Sequence, residues 1–273
     1  MSPLPDAASS EPVSGTSGTD LEVRVEDGAL WLTLNRPHVF NALTADMADD
    51  LARIVEEATA RDDVRVVAVT GTGHAFSTGA DISGADAHEH FDVSALDRAN
   101  RIIRAITSLD KPVVAGVNGV AAGVGCSAAL AADLVVAASS ASFLLAFARI
   151  GLMPDGGATA TVAASIGRAR AMRMALLAEP LSAQEAYDAG LVTHVAPDDE
   201  FPDVLAKLVR RLAAGPPLAF AATKKAVNAA TLTSLEPALE RERTGQSVLL
   251  RTADVAEGMR AFSERRRPVF RGE

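Results

Sequence analysis

Two stretches of the chain, "VAVTGTGHAFSTGAD" and "VAGVNGVAAGVGCSAALAAD", follow one plan: an apolar strand, a loop broken by glycines, then a helix. The strands that feed such units, "VRVVAVT", "KPVVAGV" (111–117) and "DLVVAAS" (133–139), carry continuous apolar runs rather than an alternation. A continuous apolar strand cannot leave one face in water, so each needs cover on both sides. Three of them separated by helical stretches demand a largely parallel sheet with helical crossovers, an α/β fold. In the first loop, "GTGHAFSTGADIS" (71–83), the chain leaves its strand through Gly71 and Gly73, sets Phe76 out between polar neighbours and finishes on Gly-Ala-Asp. It offers no side-chain nucleophile with a base beside it. Its chemistry is therefore expected in the backbone.

The rest of the chain supports a single large core. "LEVRVEDGALWLTLNR" alternates apolar and polar residues around Asp27-Gly28, a hairpin signal. "TADMADDLARIVEEATA" spaces Leu43, Met47, Leu51, Ile54 and Ala58 along one helical face. "SAQEAYDAG" carries a capping box, Ser182 with Glu185, and a terminating Gly190. From Glu200 the chain reads as almost all helix, with one long segment from Pro217 to about Arg251. The expected organisation is a tail over 1–20, an α/β core over 21–198 and a helical region over 199–273. The tail, rich in Ser, Pro, Gly and Thr, reads as disordered and lacks the basic and apolar regions of a signal peptide. Apolar residues make up 48% of the 273, enough for a substantial core, and a net charge of −9 argues against a nucleic-acid partner. A lone cysteine, Cys126, fits a reducing cytoplasm, and no run of eighteen apolar residues exists to span a membrane.

Three chemistries suit a glycine loop at a helix start. A dinucleotide fingerprint needs G-x-G-x-x-G, which "GVAAGVG" does not keep; a phosphate loop needs Gly-Lys-Ser/Thr, which is absent. Two loops aimed into one cavity can instead present paired N–H groups that stabilise charge growing on a carbonyl oxygen.

At this point "LTLNRPHVFNAL", "VRVVAVTGTGHAFSTGADI", "KPVVAGVNGVAAGVG", "ADLVVAASSASF", "GLMPDGGAT", "LSAQEAYDAGLV" and "EGMRAFSERRRPVF" together resemble the crotonase family, the enoyl-CoA hydratase/isomerases. The likeness runs over about 25–270, in the family's order. It implies a spiral of β-β-α units with a helical C-terminal trimerisation region, and homotrimers often paired into hexamers. It implies an acyl-CoA thioester substrate, with coenzyme A carried on the substrate and no separate cofactor or metal. It further implies oxyanion N–H groups at Ala80 and Val124. Glycine is usual at the second position, so valine is a departure that asks for a backbone angle valine tolerates. Substrate contacts carried over on the same basis are Arg36, Val39, Ala42, Thr78, Asp81, Ile82, Gly123, Ser127, Phe147, Pro154, Phe262 and Arg265. Of these, Arg36 is expected at the CoA phosphates, and Phe262 and Arg265 at a neighbouring subunit's CoA. Asp81 also reads as a cap for its own turn.

The acid/base positions depart further. Where the family's hydratases hold water between two glutamates, this chain has Ser127 and Phe147. Neither can move a proton for hydration. One acid remains, Asp155 in "GLMPDGGAT". Locally it reads as an N-cap for the helix "ATATVAASIG". The resemblance offers another role, because several isomerases and a dehalogenase of the family carry a catalytic aspartate there. The pattern is closest to the phenylacetyl-CoA ring-epoxide isomerase type. Phe143, Leu144, Phe147 and Met153 are candidates for an apolar lining that would raise its pKa, and equally for plain core. His88 and His90 have metal-like spacing without the ligands to complete a site, so they read as an exposed loop, in the family a flap over the acyl chain. His38, His74 and His194 read as solvated or structural, and Cys126 as packing. The expected function is isomerisation through a thioester enolate with Asp155 as the single acid/base. An atypical hydratase and a non-catalytic acyl-CoA binder are the alternatives.

Overall fold

The computed structural model describes residues 20–82 and 92–273. The expected tail over 1–20, apart from its last residue, and the His88/His90 flap lie outside the described residues. A six-stranded sheet forms the spine. Strands β1 (Leu21–Glu26) and β2 (Ala29–Leu34) make the expected antiparallel hairpin. Its turn residues Asp27 and Gly28 both take positive φ, 51° and 77°. That pair of angles belongs to the two-residue turn whose twist matches the strands it joins. β3 (Val66–Gly71), β5 (Val113–Val117), β7 (Leu134–Ala138) and β10 (His194–Ala196) then add in parallel. The order is β1-β2-β3-β5-β7-β10. All five residues of β5 are buried, as its unbroken apolar sequence requires.

A second sheet of four short strands, in the order β4-β6-β8-β9, makes the fold a spiral. Each long strand is followed at once by a short one: β4 (Ala75–Ser77) after β3, β6 (Val120–Ala122) after β5, β8 (Ser142–Leu144) after β7. β9 (Leu181–Ser182) closes the edge. The helices that follow are α1 (Ala45–Glu57), α2 (Val93–Ser108), α3 (Gly123–Leu130), α4 (Ala158–Leu177) and α5 (Ala183–Asp188). Thr44 caps α1 through the Met47 N–H, and the Ser182/Glu185 capping box is present at α5. Phe76 is 2% exposed and among the largest buried side chains. Its polar neighbours had suggested exposure. The residue instead lies on β4 in a second sheet packed against the core, and period-two reading of a three-residue strand cannot see that.

The C-terminal region is helical as expected: α6 (Phe201–Ala213), α7 (Pro217–Thr231), α8 (Leu235–Leu249) and α9 (Ala253–Ser263). The expected single segment from Pro217 to Arg251 is two helices, broken at Leu232 (φ −112°, ψ 27°). Pro237 explains the restart. Inside a continuous helix it would lose a backbone bond and clash, whereas in the first turn of α8 its missing N–H has no partner to lose. Phe201, Leu205 and Val209 of α6 and Leu235 and Leu239 of α8 join the same buried cluster as the strands.

Candidate active site

The parallel pairing of the short strands is what assembles the site. β4 pairs with β6 (Ala75 beside Val120, Ser77 beside Ala121) and β6 with β8 (Val120 beside Ser142, Ala122 beside Leu144). All three run the same way, so the loops leaving them emerge at one end. Those loops carry Gly79-Ala80, Gly123-Val124 and the segment 145–157. The first two touch: a Cβ added at Gly79 would sit 3.0 Å from the Val124 nitrogen and 3.0 Å from the Ala122 carbonyl oxygen. Gly79 has φ +92° and Gly123 φ +53°, so both positions favour glycine by angle, and Gly79 by space as well. Val124 needed a backbone angle that valine tolerates, and the positive φ of the loop lies on Gly123. Val124 lies within α3 and outside the positive-φ residues.

Both backbone donors are left open. Ala80 bridges Leu43 in parallel through its neighbours, Leu43 N–H donating to Gly79 O (2.8 Å) and Asp81 N–H donating to Leu43 O (3.0 Å). The Ala80 N–H therefore points away from that pairing. Val124 lies in the first turn of α3, where N–H groups have no intrahelical acceptor. Among the described residues neither N–H donates to a protein acceptor. A cavity of about 160 Å³ opens beside them, lined by Leu43, Ala48, Ala80, Ala99, Ile102 and Val124 among others.

Asp155 approaches from the third loop. It does not line that cavity. Its neighbour Gly156 packs on the α3 loop, since a Cβ there would meet Ser127 Cβ at 3.0 Å and Val124 Cγ2 at 3.5 Å. Asp155 is 5% exposed. Oδ2 accepts from Gln246 Nε2 (3.1 Å), and Oδ1 is buried with no partner among the described residues. Burial pushes the carboxyl up to about 7; the Gln246 hydrogen bond opposes this and the nearby Glu242 carboxylate adds to it. Asp155 does not cap α4. The residue at the cap is Gly157 (φ 72°), and the N–H groups of Gly157 and Thr159 donate to Glu242 (2.7 and 2.9 Å). Glu242 and Gln246, both on α8, are absent from the sequence reading. Their signal there is only an i, i+4 polar pair in "ERERTGQS".

The other expected residues divide into three groups. Ser127 is fully buried and its hydroxyl donates to the Asp155 carbonyl (2.8 Å), which fixes the loop. Phe147 is buried, and its carbonyl accepts from Leu152 N–H, so it shapes the approach to Pro154 and Asp155. Phe143 is fully buried. On the first loop, Thr78 N–H donates to Phe40 O (3.1 Å), Ala42 is buried, and Val39 and Ile82 are half-buried. Arg36 donates to Ala42 O (2.7 Å) and to Asp81 Oδ2 (2.8 Å), with 14% of its side chain exposed. Its guanidinium thus braces the Ala80 loop, with Asp81 as an ion-pair partner. Phe262 at the end of α9 is exposed, as is Arg265 beyond it. Cys126 is buried, and burial raises its thiol to about 12, well away from nucleophilic use. His38, His74 and His194 are exposed. Among the described residues no group of His, Cys, Asp and Glu could hold a metal ion, and no helix is long and apolar enough to cross a membrane. A second cavity, of about 730 Å³, is lined by Trp31 and Phe201 among others and by none of Ala80, Val124 and Asp155.

Spiral β-β-α units bring two glycine loops together at one end of the short strands, with the N–H groups of Ala80 and Val124 free of protein acceptors among the described residues. Residues 24–273 match the enoyl-CoA hydratase/isomerase family model, and the chain belongs to that family. It is similar to a probable enoyl-CoA hydratase of Rhodobacter capsulatus, 42% identical over 92% of this chain and 98% of the relative. It is also similar to the 1,2-epoxyphenylacetyl-CoA isomerase of Escherichia coli K12, 37% identical over 91% and 97%. Among solved structures, an enoyl-CoA hydratase from Mycobacterium avium subsp. paratuberculosis K-10 superposes with a TM-score of 0.87 at 51% identity, covering 92% of this chain and 98% of that one. The fold is the crotonase fold, and the family membership makes the chain an acyl-CoA enzyme.

Proposed function

We propose that this enzyme isomerises an acyl-CoA thioester by forming its enolate, with Asp155 as the single acid/base. The observation that carries the reading is the Asp155 carboxyl: buried, raised toward neutrality, with one oxygen unpartnered, one residue from a glycine packed on the Val124 loop. A buried polar atom without a partner calls for an explanation, and a substrate proton supplies one. In the reaction, ionised Asp155 removes a proton from a carbon α or γ to the thioester. The electron pair moves to the thioester oxygen, where the Ala80 and Val124 N–H groups stabilise it. Asp155 then returns the proton to a different carbon, and the C=C bond or ring has moved. Ser127 and Phe147 take no part in proton transfer; they hold the loop that presents Asp155.

The E. coli relative named as an isomerase favours this reading, and the two relatives named as hydratases favour the alternative of an atypical hydratase. Ser127 and Phe147 at the water-activating positions weigh for the isomerase. A pure acyl-CoA binder has no use for a lone buried carboxyl. The test is to incubate the enzyme with unsaturated acyl-CoAs in heavy water and follow exchange at the α and γ carbons. Exchange with a ligand that also raises the melting temperature supports the reading; binding without exchange defeats it. The base must be ionised, so kcat/KM for exchange should fall tenfold per pH unit below an acid limb near 7. A limb near 4 would mean that Asp155 is an ordinary solvated carboxylate.

Coenzyme A would arrive on the substrate, with no separate cofactor, and the reaction would run in the cytoplasm. Assembly is proposed as a trimer or a dimer of trimers. Leu218, Val227, Val248 and Phe262 on the C-terminal helices are 52–84% exposed in the single chain, and a partner subunit would cover such side chains. Phe262 and Arg265 would then reach the neighbouring subunit's CoA. Light scattering at micromolar concentration should report about three or six times the 28.2 kDa chain mass. A stable monomer would remove both the assembly and the Arg265 contact.

A further inference from the structure

Helix α8 approaches the Asp155 loop more closely than side chains would normally allow. A Cβ at Gly157 would come within 2.7 Å of Leu235 Cδ1, and a Cβ at Gly245 within 2.5 Å of Met153 Sδ. Two polar side chains one turn apart on α8 use that closeness. Glu242, 1% exposed, accepts from Gly157 N–H, Thr159 N–H and the Thr159 hydroxyl, so it takes the capping position at α4 that Asp155 would otherwise fill. Gln246, 0% exposed, accepts from Met153 N–H through Oε1 (3.2 Å). That fixes which way its amide faces, and Nε2 donates to Asp155 Oδ2.

We propose that α8 positions Asp155 for proton transfer: Glu242 relieves it of helix capping, and Gln246 pins one oxygen so that Oδ1 is the one offered to substrate. Both are positioning residues, and the inference rests on the reading of Asp155 as the acid/base. The two act on its ionisation in opposite senses. A neighbouring carboxylate disfavours a second negative charge, whereas an amide donor favours it. Among the described residues Glu242 is the charged group acting on Asp155, and Arg241 faces Glu242 in turn. Ser127 on α3, and Phe147 and Met153 on the loop itself, are neutral.

The test is the pH profile of deuterium exchange in Glu242→Gln and Gln246→Met. Glu242→Gln keeps the shape and one acceptor but removes the charge, so the acid limb should move to lower pH, by about half a unit or more. Gln246→Met removes the donor, so the limb should move to higher pH. Opposite displacements support the proposal. Unmoved limbs, or displacements in one direction, overturn it, since a merely structural role lowers the rate or the melting temperature without sorting the two by sign. If Glu242→Gln does not fold, Gln246→Met decides alone: an unmoved limb overturns the proposal. Asp155→Asn separates the two levels. If it keeps exchange, the reading of Asp155 falls and this inference with it; if it abolishes exchange while the limbs stay put, this inference alone falls.

Discussion

Asp155→Asn is expected to lose exchange at the substrate's α and γ carbons by about two orders of magnitude or more, while binding acyl-CoA with near-native affinity. Asparagine keeps the size and can still accept from Gln246, but it cannot take a proton. Ser127→Ala should change the rate modestly, because the serine only holds the loop through the Asp155 carbonyl. The same variant makes an independent prediction about stability. The folded carboxyl is raised to about 7 from 3.8, so between those values the folded state holds a proton that the unfolded chain has released. Stability from this group is therefore present at low pH and lost as pH rises from about 4 to 7. At about 1.4 kcal/mol per unit, the loss is on the order of 4 kcal/mol. Asparagine has no such loss. Its melting temperature relative to wild type should rise between about pH 4 and 7 and level off above that. Full exchange in the variant would make Asp155 a packing residue, and a flat difference in melting temperature would show that its carboxyl is not buried as described.

The parts of this molecule that were legible in its sequence are those specified locally. Asp27-Gly28 announces the hairpin because its two positive φ angles need such residues, and the apolar runs at 66–70 and 113–117 announce buried parallel strands. The meeting of the two glycine loops was legible through the repeated strand–loop–helix plan together with the family resemblance. What escaped depends on residues far apart in the chain. Nothing near Asp155 says that its capping position is taken by a residue 85 positions from Gly157, or that its carboxylate is held from 91 positions away. Without those contacts, the local sequence favoured a cap, and only the family resemblance favoured a catalyst. Arg36 is a similar case. An arginine beside a proline turn says nothing of the ion pair it makes with Asp81, 45 residues on. Val124 went the other way. Its departure from glycine asked for a backbone angle valine tolerates, and the loop's positive φ lies on Gly123.

Hydration of crotonyl-CoA should be slow, and the reason lies in what stands at two positions of the site. Adding water across an enoyl thioester needs one group to draw a proton from the water and one to deliver a proton to carbon, on the same face. Ser127 is fully buried, and its hydroxyl is engaged with the Asp155 carbonyl. Phe147 is buried and apolar. Neither can orient a water, and Asp155 alone cannot serve as both partners in one step. The absence of each such group costs about 10²–10⁴ in rate. Turnover should therefore lie well below the ~10³ per second at the upper end of typical enzymes. Glutamate placed at 127 alone should recover little. It would lack its second carboxylate, displace the hydroxyl that holds the loop, and bring a charge against Gly156, where even a Cβ would already meet Ser127 at 3.0 Å. The Ser127→Glu, Phe147→Glu double variant is the informative contrast. If it gains hydratase activity while exchange falls, the two chemistries compete for one site, and these positions decide between them. Wild-type hydration at or above about 10³ per second would instead mean that water is activated by a group outside Ser127, Phe147 and Asp155, and the isomerase reading would have to be given up.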